Sequence, residues 1–297
     1  LLEHGRFAIF VYMLSEKEIK SLIDLLDDPD EEIYGMVEEK ILSLGSHVIE
    51  SLEEEWEGAF EPLKQSRIEY LIHKIQFSQT VTSLRTWYLG GAYDLLEGLL
   101  IVNRYQYPDK DEQEIINILE EIKRDVWLEM IYNMSAVEKV RLLNNVLYNK
   151  HGFRGNTKNY HDPENSYIGR VLETKRGNPI LLASIYSIIA QKVDLPVYGV
   201  NLPRHFILAY LDEDAHHEKE VLFYINAFNR GQIFGKHDVF AFLKQLNLPN
   251  EKHFFEPCDN LAIITRVLRN LLSSYSQSGT SEKVMEIQRL LDILGQD

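Results

Sequence analysis

One cysteine among 297 residues, Cys258, excludes an intramolecular disulfide and fits a reducing, cytoplasmic setting. Long hydrophobic runs are also missing. The longest, from Pro179 to Ala190, falls well short of the roughly 20 residues that cross a bilayer, so no membrane protein is expected. Positive charge is scarce: 31 Lys and Arg stand against 46 Asp and Glu, for a net charge of −15. The deficit is concentrated at the start, where residues through 60 carry 16 acidic and 4 basic side chains. Such a surface repels phosphate backbones and argues against nucleic-acid binding. A solvated helix face explains it better than an acidic dock for a basic partner. Nor is a secretory leader indicated. The apolar stretch Phe7 to Leu14 lacks a basic flank and a small-residue cleavage site, and Met13 reads as a natural start with residues 1–12 an upstream addition.

What is present is an ordinary globular composition, 45% hydrophobic and 26% charged, in a chain long enough for one large or two to three small units. Ser15 and Glu18 form a capping-box pattern ahead of Ile19, Leu22, Ile23, Leu25 and Leu26. The Asp27-Asp-Pro-Asp30 turn breaks that helix, and two more are expected from Glu31 to Leu44 and from His47 to about Trp56. The turn and the Leu-Gly-Ser-His-Val-Ile pattern that follows look like one unit of a HEAT-type helical repeat, without a second copy at the same period. Apolar stripes then predict helices over Glu61 to Gln79 and Val81 to Val102, the latter carrying Gly90-Gly91 inside it at a cost of about 1 kcal/mol per glycine. Further helices are expected from Asp111 to Tyr132 and from Ser135 to Asn149. His73 reads as a packed or exposed histidine rather than a ligand.

The stretch from Lys175 to Tyr210 organises the chain. Arg176-Gly-Asn178 is turn chemistry, Pro179 suits the first position of a helix, and Ile180 to Val193 is apolar almost all round, so an interior helix is expected. Val197 to Val200 and Phe206 to Tyr210 read as strands flanking Asn201-Leu-Pro-Arg-His205, and Val221 to Ile225 as a third that returns beside them. His216 and His217 sit in an acidic stretch, but adjacent residues on a hairpin diverge and no ligand spacing is defined, so a solvated loop is expected. A long polar loop, residues 151–167, precedes this unit. After it come a short helix from Asp238 to Leu246 and a helical hairpin, Asp259 to Gln277 and Ser281 to Leu294.

The segment Arg176-Gly-Asn-Pro-Ile180, the Gly199-Val-Asn-Leu-Pro-Arg-His-Phe206 run and the loop pattern from Gly152 to Tyr167 resemble the SirB-type branch of the transglutaminase-like superfamily, from about Trp87 onwards. The closing hairpin is similar to the tetratricopeptide-like pair at the end of such proteins. The resemblance implies an α+β fold, predominantly α: a transglutaminase-like core with a small antiparallel sheet over 86–236, an acidic HEAT-like module over 1–85, and a TPR-like pair over 237–297. In catalytic relatives a cysteine at this helix start attacks, a histidine takes its proton and an acid orients the histidine. Here the nucleophile slot falls on Pro179, the base slot on His205 and the acid slot on Asn226. Proline has no nucleophile, and losing that member alone costs about as much as losing a whole triad, on the order of 10⁶ in kcat. Asparagine can still hold an imidazole.

Replacement nucleophiles are weak: Cys258 stands in the helical tail, Ser184 in an apolar helix where its hydroxyl bonds to its own backbone, and Ser166 in the polar loop. By the same resemblance Arg154, Asn156, Asn165, Ser166 and Asn201 line the cleft of His205, or else Arg154 and the loop asparagines only cap and pin the loop. The two Arg-Gly-Asn tripeptides read as similar turns. The expectation is a non-catalytic scaffold binding a protein or peptide, with no metal and no cofactor. The alternative is a hydrolase or acyl transferase using His205 with another nucleophile.

Overall fold

The computed structural model describes residues 14–212 and 220–295, so the expectations for the first twelve residues and for His216 and His217 lie outside the described residues. The chain divides into two compact units, Leu1–Gln79 and Thr80–Asp297.

In the first unit, Ser15 accepts from the Glu18 N–H and the Glu18 carboxylate accepts back from the Ser15 N–H, starting α1 (Glu16–Ile23). A 3-10 turn, Asp24–Asp27, leads to α2 (Glu31–Leu44), capped by Asp30. A second 3-10 turn at Gly45–Val48 precedes α3 (Ile49–Gly58). The core joins Ile23, Leu26, Val37, Ile41, Val48 and Leu52 to Ile68, Leu71 and Ile75 from the first turns of α4 (Pro62–Leu89). Arg67 donates to the carbonyls of Leu26 and Asp28 at 2.9 and 2.8 Å, with its guanidinium over the Tyr34 ring, which holds the Asp-Asp-Pro-Asp loop closed.

The second unit begins within α4. The helix expected to run through Gly90-Gly91 instead stops there: α4 ends at Leu89, Gly91 takes φ +98°, and Asp94 caps a separate α5 (Leu95–Gln106) by accepting from the Glu97 N–H. Gly98 in α5 is tightly packed: an added Cβ there would meet Ile264 and Trp87 at 2.9 Å. Helix α6 (Glu112–Glu129) and α7 (Ala136–Asn144) follow, α7 passing into a π-helical stretch, Asn145–Lys150.

The two Arg-Gly-Asn tripeptides are not turns. They form a two-stranded parallel ladder, β1 (Arg154–Gly155) against β2 (Arg176–Gly177), with Arg154 opposite Arg176 and Gly155 opposite Gly177. Between them lie a 3-10 turn at Pro163–Ser166 and α8 (Ile168–Thr174), whose Gly169 N–H donates to Asn103 Oδ1.

Helix α9 (Pro179–Gln191) is buried from Ile180 to Ala190. It packs on β3 (Val197–Val200) and β4 (Ile207–Leu211), which continue through β5 (Val221–Asn226) and β6 (Gln232–Phe234) as an antiparallel sheet in the order β3-β4-β5-β6. All five residues of β4 are buried. Ile207, Ala209 and Leu211 face a cluster with Val239 and Leu243 of α10 (Lys236–Gln245), and strand alternation leaves Leu208 and Tyr210 for the opposite face. Helices α11 (Asn260–Ser278) and α12 (Ser281–Ile293) form the hairpin. It is tied to the core where the Tyr167 and Tyr275 hydroxyls meet at 2.7 Å and Tyr105 donates to Glu286. The architecture is α+β and mostly helical, as expected from the sequence.

Candidate functional site

The start of α9 is built by a network of side-chain amides. Asn178, at the N-cap, accepts from the Leu181 N–H at 3.0 Å and donates through Nδ2 to Ser166 Oγ at 2.8 Å. Ser166 is itself buried. Asn165, also buried, donates to the carbonyls of Asn159 and Tyr160, and its own Oδ1 accepts from Asn156 Nδ2 at 2.9 Å. Asn156 N–H donates to the Gly177 carbonyl, which ties the polar loop to β2. Asn156, Asn165 and Ser166 are thus brought together with Asn178, and their polar groups are engaged in pinning the loop to the helix start. Arg154 is exposed. It lies near enough to Arg176 to disfavour that residue's charge, a smaller effect there than loss of solvent.

Pro179 occupies the first helical position, where its missing N–H leaves nothing unsatisfied. His205 follows Arg204, which has φ 62°, and lies two residues before β4. Its exposed imidazole rests edge-on against Phe242 of α10, with ring centroids 4.7 Å apart, and makes no hydrogen bond among the described residues. Asn226 closes the β5–β6 turn: its Oδ1 accepts from the Asn229 N–H at 3.1 Å and its carbonyl from the Gly231 N–H. Asn144 braces the same turn, donating to the Gly231 carbonyl and accepting from the Tyr186 hydroxyl of α9. Asn201 Oδ1 accepts from Arg266 Nη1 at 2.9 Å.

Cys258 lies one residue before the α11 cap, and its N–H donates to the Gly199 carbonyl at the outer edge of β3. Burial pushes its thiol up to about 11. Ser184 departs from expectation: its hydroxyl is buried with no hydrogen-bond partner among the described residues, rather than bonded to its own backbone.

The arrangement of a capped interior helix, the histidine loop and an antiparallel return strand has a counterpart among known families. A family model described as the transglutaminase-like superfamily matches residues 113–269. The chain belongs to that superfamily. The match runs from α6 to the middle of α11 and so takes in the α9 start, His205 and Asn226. Among curated relatives, a UPF0162 protein of Xylella fastidiosa (strain 9a5c) is 28% identical over 197 residues, 62% of this chain and 66% of that protein. UPF0162 protein YchA of Escherichia coli (strain K12) is 25% identical over 193 residues, 65% of this chain and 69% of that protein. F-box only protein 21 of Mus musculus is 26% identical over 162 residues, 51% of this chain but 24% of that protein. The chain therefore spans about two thirds of the Xylella relative's length and about a quarter of the F-box protein's. No solved structure gives a significant match.

Three residues outside the expected set belong to the site's frame. Asn178 is its hub, and the Asn-Pro pair at a helix start was the signal for it. Phe228 lies on Gly155 and stands edge-on to Tyr160, with ring centroids 6.0 Å apart. Arg266 lies on a helix whose apolar stripe gave no reason to single it out.

Proposed function

We propose that the chain is a non-catalytic member of the superfamily, of the SirB-type branch, whose cleft binds a protein or peptide instead of processing it. Pro179 carries the reading: the position that would hold the attacking sulfur has no side-chain nucleophile and no N–H. Supporting it, the sole thiol lies elsewhere, half-buried and held protonated, and the His205 ring is bonded to no hydroxyl or thiol among the described residues. The flanking pieces take the roles of helical modules in a cytoplasmic scaffold. The acidic N-terminal region, 1–85, is HEAT-like, the core covers 86–236, and the closing pair within 237–297 is TPR-like, able to extend a partner's helical array.

Replacing Pro179 with cysteine tests the reading. The new thiol is expected to react with iodoacetamide near neutral pH no faster than an ordinary exposed cysteine, and no differently when His205 is replaced by alanine. A strongly activated, His205-dependent thiol would show a cleft still arranged for catalysis and would favour an enzyme.

A further inference from the structure

Arg266 is a half-buried guanidinium on α11 with no carboxylate bonded to it among the described residues. Two other arginines of this unit are matched, Arg104 by Glu112 and Arg170 by Glu164 and Glu173, while the exposed Arg230 donates, like Arg266, to a carboxamide, that of Asn149. A guanidinium has five N–H donors, and here one is used, toward the neutral Asn201 carboxamide. Burial disfavours its charge, and the like charge of Arg269, one turn along, adds to that. In a chain of net charge −15, a partly desolvated cation without an anion beside it is costly, and a ligand that brings the anion recovers that cost.

The surroundings narrow the ligand. Asn201 heads the loop that carries His205, and α11 packs against the 3-10 turn of the polar loop, so the cation stands on a helix that meets both loops. A single fork with a carboxamide beside it suits a planar monoanion. A doubly charged phosphate draws a cluster of cations.

We propose that Arg266, with Asn201 beside it, is the receptor for a carboxylate of the peptide that binds this cleft. This rests on the peptide-binding reading above and specifies the partner as acidic at the bound position, through a Glu or Asp side chain or a free C-terminus.

The test uses the full chain labelled with ¹⁵N-arginine, the Arg266 Nε–Hε signal being identified by its loss in Arg266→Gln. Four probes are titrated: Ac-Ala-Glu-Ala-NH2, Ac-Ala-Ala-Ala-OH, the neutral Ac-Ala-Gln-Ala-NH2 and inorganic phosphate. The expected result is a saturable shift of the Arg266 signal with one or both carboxylate peptides, roughly tenfold or more weaker for the neutral peptide. Which carboxylate peptide shifts it distinguishes side chain from terminus. Arg266→Gln, with its other backbone signals unmoved, should abolish the preference. Neutral-peptide binding that leaves the Arg266 signal in place would overturn the carboxylate assignment while sparing the peptide-binding reading. A response to phosphate equal to that of the peptides, or no response to any probe, would also overturn the assignment.

Discussion

Gly155 lies directly beneath the ring of Phe228, so close that a Cβ on Gly155 would stand 2.5 Å from the Phe228 Cε2. The contact joins β1, which bears one Arg-Gly-Asn tripeptide, to the β5–β6 turn that Asn226 closes. It is a steric requirement and not a conformational one, because Gly155 does not take a positive φ.

Gly155→Ala should therefore destabilise the chain by about 1–3 kcal/mol through overpacking. Phe228→Leu in the same chain should recover part of that loss, since the two changes meet at one contact. Urea unfolding of the four members of this cycle measures the coupling, and additive losses would show that the ring moves aside freely.

Asn178→Ala removes both the cap of α9 and the donor to Ser166 Oγ. Loss of the cap costs about 1 kcal/mol, and leaving a buried hydroxyl without this bond adds about 1–3 kcal/mol. Asn178→Asp keeps the capping oxygen, and the Ser166 hydroxyl can turn to donate to it, so its loss should be smaller. The same unfolding experiment ranks the two. Equal losses would mean the cap contributes little.

Cys258 should be slow toward disulfide reagents. With its thiol pushed up to about 11, the thiolate fraction near neutral pH is about two orders of magnitude below that of an ordinary thiol, whose pKa is about 8.5. The reaction rate should keep rising between pH 9 and 11 and jump on denaturation. The linkage follows the same sign. A thiol that stays protonated longer in the folded chain favours folding below about pH 8.5, and that contribution is lost as pH rises toward 11. A rate that levels off near pH 8.5 in the folded chain would contradict the burial argument.

Much of the fold was legible because its signals are local. The Ser15–Glu18 capping box, the helix start at Pro179 and the bounds of α2 lie where sequence pattern places them. What was not legible depends on partners far along the chain. The Arg-Gly-Asn tripeptides carry turn residues, yet they pair as parallel strands because α8 and the polar loop bring them side by side. α8 itself is seven residues long and ends on Lys175 at φ 58°, with no glycine to mark the stop. The Gly90-Gly91 pair was legible as a weakness but not as a break, which needed the Asp94 cap to be noticed. The site divides the same way. The slots expected at Pro179, His205 and Asn226 come from the family resemblance, whereas the His205 contact with Phe242 and the Asn201 bond to Arg266 arise from α10 and α11, packed there from later in the chain.

Chemical silence is tested most directly by incubating the full chain with an electrophilic acyl probe near neutral pH and following covalent adducts by intact mass, with His205→Ala in parallel. The expected result is no adduct in either chain beyond slow modification of Cys258, mapped by peptide digestion. A stoichiometric adduct on any other residue that forms in the wild-type chain and disappears in His205→Ala would contradict it.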